Sequence, residues 1–191
     1  MRLKTETKRQ AILDVAAQVF REGGFERSSM NEICQRVGGS KATIYNYFAS
    51  KEELFFEVMR QSADAEFEQV HAALDVSTED IAKALETFGQ RLITFIYSPQ
   101  LQSMRRLVIS ESGRADLGRK CYENGPARSL VVVSAFLSTA MEQGKLRKAD
   151  ARTASLQLKA LYEAEFHDRF MCHILDELDS KDVKQAVTRA V

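Results

Sequence analysis

The sequence predicts an all-α protein, with an N-terminal three-helix helix-turn-helix domain and a larger C-terminal helical domain. Three observations predict this. Apolar residues recur at helical spacing along nearly the whole chain, no alternating apolar/polar stretch is long enough for a half-buried strand, and only Pro99 and Pro126 interrupt 191 residues. The expected division is 1–52 and 53–191.

The first helix is expected from about Thr5 to Glu22, with Ile12, Val15, Ala16, Val19 and Phe20 on one face and Gly23-Gly24 as its stop. Met30, Ile33, Cys34 and Val37 then fall at i, i+3, i+4 and i+7, on one side of a second helix capped by Ser28 or Ser29. Gly38 and Gly39 supply the positive-φ freedom of a tight interhelical turn, and Ser40 can cap the helix that follows. At about 100° per residue, Ile44 and Phe48 of that third helix point inward together. Ala42, Thr43, Tyr45 and Asn46 lie on the other side.

That outer side suits the major groove of double-stranded DNA. The Thr43 hydroxyl can bond a base edge or a phosphate, its methyl or that of Ala42 can touch a thymine methyl, and Asn46 can pair with adenine. Lys41, Tyr45, Tyr47 and Lys51 suit the flanking phosphates, and Ser28, Ser29 and Ser40 at the two helix starts complete the candidate set. Two helices about a Gly turn occur in many helical proteins, so spacing alone does not carry the reading. Residue types strengthen it, because two tyrosines beside Asn46 would be poor choices for simple core packing. Charge agrees as well. The whole chain has 27 Lys/Arg against 27 Asp/Glu, yet residues 1–51 hold nine basic and five acidic side chains, so the surplus sits on the expected reader.

The run SSMNEICQRVGGSKATIYNYFASKEELFFEV resembles the N-terminal domain of TetR/AcrR-type transcriptional regulators over roughly residues 8–60. Three positions depart from that pattern: Ser29 where threonine is commoner, Cys34 in place of alanine, and Gly39 in place of an apolar turn residue. The last departure would forfeit about 1.5–3 kcal/mol if a Val-sized side chain were normally buried there. The resemblance implies a DNA-binding regulator, a repressor in type, that acts as a homodimer on a palindromic operator.

Beyond residue 50 the helices continue. A capping box, Ser50 to Glu53, opens a long fourth helix whose Leu54, Phe55 and Val58 pack back on the first domain. Ser77-Thr78-Glu79-Asp80 opens another, with Ile81, Leu85, Phe88, Leu92, Phe95 and Ile96 on one face and an end near Ser98-Pro99. Leu101, Met104, Leu107 and Val108 stripe the next, Ser112-Gly113 breaks it, and a short helix with Leu117 and Cys121 leads to the stop-and-start pair Gly125-Pro126. The runs FGQRLITFIYSP, MRRLVISE and YENGPARSL, between Phe88 and Leu146, also resemble an AefR-type C-terminal domain.

Leu130 to Val133, Phe136, Leu137, Ala140 and Met141 make the following helix apolar over more than one stripe. Its expected partner runs from about Asp150 with a ridge at Leu158, Tyr162, Phe166, Phe170 and Ile174. Such a pair suits a four-helix interface between two subunits, with Val133 and Phe166 as expected contacts; the lesser alternative is that both helices are merely central in a larger core. A small apolar or aromatic effector is expected in this domain, lined by Phe88, Leu92, Phe95, Met104, Val108, Tyr122, Phe136, Tyr162 and Phe166, with Arg91, Arg105 and His167 to orient it. Aromatic residues at helical spacing are also ordinary core, and that bland reading stands beside the pocket.

No catalytic residues, cofactor or metal are expected. The only histidines, His71, His167 and His173, sit in no nucleophile elbow, phosphate loop or metalloprotease pattern. A redox- or metal-responsive regulator using Cys121, Cys172, Glu163, His167 and His173 is the alternative within the same fold; a helical carrier or enzyme that does not bind DNA is the alternative outside it. Three widely spaced cysteines, no run of about 18 apolar residues and no signal peptide point to a reduced, cytoplasmic protein.

Overall fold

The computed structural model describes residues 5–111, 116–175 and 177–191, so the expected break at Ser112-Gly113 lies outside the described residues. Among the described residues the chain is helical, with no strand. It divides into two compact units, Met1–Ala63 and Asp64–Val191.

The first unit contains α1 (Glu6–Arg27), α2 (Met30–Val37), α3 (Lys41–Tyr45) and the first part of α4 (Lys51–His71). Local capping explains each start. The Thr5, Ser29 and Ser40 hydroxyls accept the backbone N–H of Lys8, Glu32 and Thr43 respectively, and Ser50 accepts that of Glu53 while the Glu53 carboxylate accepts the Ala49 N–H. Ile12, Leu13, Ala16, Val19, Ile33, Ile44, Phe48, Leu54 and Phe56 close the core beneath these caps. Three differences from the sequence reading stand out. The first helix does not end at its glycine pair: the chain kinks at Gly24 (φ 71°, ψ 173°) and takes one more turn through Arg27. That turn carries Phe25 onto Phe55, with ring centroids 5.0 Å apart. Of the two turn glycines only Gly38 is left-handed, at φ 69°, and its N–H closes α2 on the Cys34 carbonyl. At Gly39 an added Cβ would meet only the Lys8 ammonium, at 3.9 Å, so the missing side chain leaves no buried hole and the expected burial loss does not arise.

The second unit holds the end of α4, then α5 (Ile81–Ile96), α6 (Pro99–Glu111), α7 (Leu117–Asn124), α8 (Pro126–Glu142), α9 (Ala151–Glu163), α10 (His167–Met171) and α11 (Ser180–Ala190). Asp80, Asp150 and Asp179 cap α5, α9 and α11 through their carboxylates, and Pro126 opens α8. Ile81, Leu85, Phe88, Leu92 and Phe95 are buried as expected; Ile96 is only half-buried, and Ile93 and Tyr97 take the interior instead.

The long helix expected from Asp150 to Ile174 is two helices. Glu163 ends the first, and the break over 164–166 turns Phe166 and Phe170 toward Tyr97, each ring 5.8 Å from it by centroid. Ile174 falls outside the ridge and is exposed. A further helix, α11, follows that the apolar pattern did not announce; its Val183, Ala186 and Val187 are buried against α5 and α9. Gly89 on α5 permits this approach, since a Cβ there would lie 2.6 Å from Tyr162 Cε1 and 2.9 Å from Val187 Cγ1.

α8 and α9 pack as a helical hairpin. Val133 and Phe166, expected at a subunit interface, are instead buried within this chain because each points into the core of its own unit. Val131 at 70% and Leu161 at 53% relative exposure are the most exposed large apolar side chains of the hairpin, eleven residues before the end of α8 and ten after the start of α9.

The end of α4 is fixed to α8 by polar groups. His71, buried, donates from Nδ1 to the Phe67 carbonyl at 2.8 Å, which leaves Nε2 to accept from the Ser129 hydroxyl at 2.8 Å. Arg128 bridges Asp64 and Glu68 and lies over the Phe67 ring. Burial holds the His71 imidazole below its ordinary pKa of 6.5. A histidine neutral in the fold binds fewer protons than in the unfolded chain, so its contribution is complete above pH 6.5 and declines as pH falls from there toward the folded value. Urea unfolding of the second unit should therefore show stability falling on acidification below pH 6.5, and His71→Phe should flatten that slope. An unchanged slope in the variant would assign the dependence elsewhere.

Candidate functional site

The α3 surface is built by two inward anchors. Ile44 and Phe48 are buried, and α3 is too short to turn any other face outward than the one carrying Lys41, Ala42, Tyr45 and Asn46, all exposed. Thr43 is half-buried, its hydroxyl 2.8 Å from that of Ser40, so the capping serine orients the threonine. The Lys41 ammonium lies 5.9 Å from the Tyr45 ring centre. Asn46 caps the C-terminal end of α3 in right-handed helical geometry and keeps its side chain on the exposed side.

Other candidates turn inward, with physical reasons that sequence spacing could not supply. Ser28 is buried at 5% exposure, its hydroxyl donating to the Val19 and Gly24 carbonyls, and this corrects its placement on the reading face. Ser29 is exposed but committed as the α2 cap. The Lys51 ammonium donates to the Phe25 and Ser28 carbonyls at 3.0 and 3.2 Å and lies 4.1 Å over the Phe25 ring. It ties down the turn between α1 and α2. The Tyr47 hydroxyl accepts the Thr5 backbone N–H at 3.0 Å, and so fixes the start of α1 beside α3. These groups hold the reader in shape.

In the second unit the expected effector lining is mostly core. Phe88, Leu92, Phe95, Met104, Val108, Phe136, Tyr162 and Phe166 are all buried, and the Tyr162 hydroxyl donates to the Leu85 carbonyl. Tyr122 and His167 are exposed, which corrects their place in the lining. Arg91 is also exposed; it donates to the Gln69 carbonyl and edges an open groove of about 620 Å³ with Glu66, Gln69, Gln90 and Thr94. Arg105 alone of the three expected orienting groups reaches the interior.

There it meets a polar centre that the sequence reading missed as a unit. The buried Glu163 carboxylate accepts from the Tyr97 hydroxyl at 3.3 Å, pairs with Arg105 at 3.4 Å and pairs with Lys159. Arg105 also donates to the Ile96 carbonyl. Burial and the Glu163 charge push the Tyr97 phenol far above its ordinary range, so it remains a donor. Among the described residues the buried Ser134 hydroxyl on α8 has no hydrogen-bond partner.

The groups proposed for a redox or metal trigger do not assemble. Glu163 is occupied by its three partners, His167, Cys172 and His173 are exposed, and no group of His, Cys, Asp or Glu able to hold a metal occurs among the described residues. Burial raises the Cys121 thiol, against the smaller opposing effect of Arg105, which favours the unreactive form.

A short helix aimed outward from a Gly turn, on a compact basic unit followed by a larger helical one, defines the helix-turn-helix transcriptional regulators. The chain belongs to the TetR family of bacterial regulatory proteins: residues 12–58 match the family's N-terminal domain and residues 83–191 match the C-terminal domain of AefR-like transcriptional repressors. The family's members are regulators rather than enzymes. The HTH-type transcriptional activator FasR of Mycolicibacterium smegmatis is 33% identical over 122 residues, covering 56% of each chain, so this chain spans about half the length of that relative. A TetR-family regulator from Mesorhizobium loti shares the fold over 98% of this chain and 95% of its own, with a TM-score of 0.81 and 24% identity. The flavonoid-responsive regulator FrrA is 30% identical, with a TM-score of 0.68 and coverage of 97% and 94%. Among the described residues no helix is long and apolar enough to cross a membrane.

Proposed function

We propose that the protein is a cytoplasmic, homodimeric DNA-binding regulator, a repressor in type, whose residues 1–52 read a palindromic operator and whose residues 53–191 bind a small apolar or aromatic effector. The observation that carries the reading is the exposed face of α3, where Lys41, Ala42, Thr43, Tyr45 and Asn46 stand opposite the buried Ile44 and Phe48. Thr43 and Asn46 select bases; Lys41, Tyr45 and Ser40 hold phosphates. Lys51 and Tyr47 act through the shape of the reader, by the backbone groups they bind. Two such faces related by two-fold symmetry require inverted half-sites about 34–36 Å apart or a multiple of it. An effector releases the operator by binding more tightly to the dimer whose reading heads are wrongly spaced, so coupling of about 1–3 kcal/mol runs equally in both directions.

Selection of bound sequences from random duplexes tests this reading, and an inverted repeat is the expected product. Thr43→Ala should then weaken the selected site by about 1–3 kcal/mol and leave random DNA nearly unaffected. Equal loss on both kinds of DNA would remove Thr43 from base selection. Failure to enrich any sequence would favour a helical carrier.

A further inference from the structure

The first turn of α1 reaches both ends of α3. Thr5 donates its backbone N–H to the Tyr47 hydroxyl at 3.0 Å, just past the end of α3, and the Thr5 hydroxyl in turn accepts the Lys8 N–H at 3.3 Å. These two bonds fix the backbone of Lys8. Its side chain then runs to the turn before α3, where the ammonium lies 3.9 Å from the point at which a Cβ on Gly39 would stand, the only atom that such a Cβ would meet.

Among the described residues nothing uses that charge. Lys8 makes no ion pair and its ammonium no hydrogen bond with any of them, whereas the Glu6 and Glu57 carboxylates are paired with Arg9, and the Lys51 ammonium is spent on the Phe25 and Ser28 carbonyls. Lys8 is half-buried, the state of a lysine that lays its stem along apolar surface and keeps its head toward water. Gly39 is followed directly by Ser40 and Lys41, both exposed and both placed on phosphates by the reading above. An ammonium is a point charge on a flexible stem, which suits a phosphate oxygen. A valine at 39 would extend methyl groups from that Cβ into the space beside the ammonium and strip it of water.

We propose that Lys8 is a phosphate contact of the reader and that Gly39 is the seat that admits it: the glycine leaves room beside the turn for the ammonium and for one phosphate oxygen of the DNA backbone next to Ser40. This rests on the DNA reading above and adds a residue of α1 to it. It also accounts for the departure at position 39, where an apolar side chain would fill the seat. The contact supplies affinity and register but no base preference.

The test uses the full chain and two duplexes, the inverted repeat recovered by selection and a random duplex of the same length, with affinity measured between about 50 and 200 mM salt. Lys8→Gln should weaken both duplexes by a similar factor, at least about tenfold at the low-salt end, and lower the salt slope by about two units on a site that holds two chains. Lys8 has no partner in the fold to lose, so the thermal midpoint should not move, and the slope then reads the DNA contact alone. Lys8→Arg keeps the charge and should restore the slope. Gly39→Val should reproduce the loss by itself and add little to it in the Lys8→Gln background, the non-additivity expected of one shared contact. An unchanged slope for Lys8→Gln, beside a wild-type chain that binds the operator, overturns the phosphate contact and leaves the DNA reading in place. A loss from Gly39→Val that is equally large in both backgrounds overturns the seat. A wild-type chain that enriches no sequence and binds neither duplex removes the DNA reading along with the proposal.

Discussion

Gly89→Leu is expected to detach α11 and unfold much of the second unit, while Gly89→Ala should lower stability by about 1–3 kcal/mol. In an ordinary mid-helix position the change to alanine would be favourable by roughly 1 kcal/mol, because glycine carries the larger backbone entropy. Here the new methyl would sit under 3 Å from both Tyr162 and Val187. Neither neighbour is free to move aside: the Tyr162 ring is buried and its hydroxyl is bound to the Leu85 carbonyl at 2.9 Å, and Val187 is completely buried. Overpacking therefore exceeds the helix-propensity gain. Chemical denaturation gives the stability change, and amide exchange over 180–190 shows whether α11 is the segment released. A rise in stability for Gly89→Ala would mean that α11 packs less closely on α5.

That helix also shows where sequence reading runs out. Val183, Ala186 and Val187 do have helical spacing, and Asp179 is a proper cap, but three small apolar residues in a polar segment give a weak stripe. Their burial depends on Gly89, more than ninety residues away. The break after Glu163 is hidden for the same reason: neither glycine nor proline marks it, and it answers to tertiary partners, Tyr97 and Arg105, that no local pattern specifies. By contrast, the reader was legible almost residue by residue, because its caps, its Gly38 turn and the pair Ile44 and Phe48 are local features. Its errors concern side-chain direction. Ser28 and Lys51 have the right chemistry for phosphate, and both are drawn inward by carbonyls exposed where α1 kinks at Gly24. In the effector region, the apolar positions were readable and the orienting groups were not, since Arg91, Arg105 and His167 differ only in which way the fold turns them.

Charging the exposed side of the α8–α9 hairpin should have the largest effect on operator binding. Val131 and Leu161 are each more than half exposed, in contrast to the buried Val133, Phe136 and Tyr162 beside them, so aspartate at either position creates no unpaired charge in the unit's own core. In a dimer that closes on this face, the same charges meet their symmetry copies in a region stripped of water. The Val131→Asp, Leu161→Asp double variant should therefore be a folded, helical monomer by sedimentation and circular dichroism. Tethering two readers makes the second half-site contact intramolecular, which raises avidity by about 10²–10⁴. Loss of the dimer should weaken the full operator by that factor and leave binding to a single half-site unchanged. A double variant that remains dimeric would exclude this face and move attention to other exposed apolar side chains of the unit, such as Met171 and Ile174. A monomer that still bound the full operator at wild-type affinity would mean that each chain reads alone, which would remove the need for a palindrome.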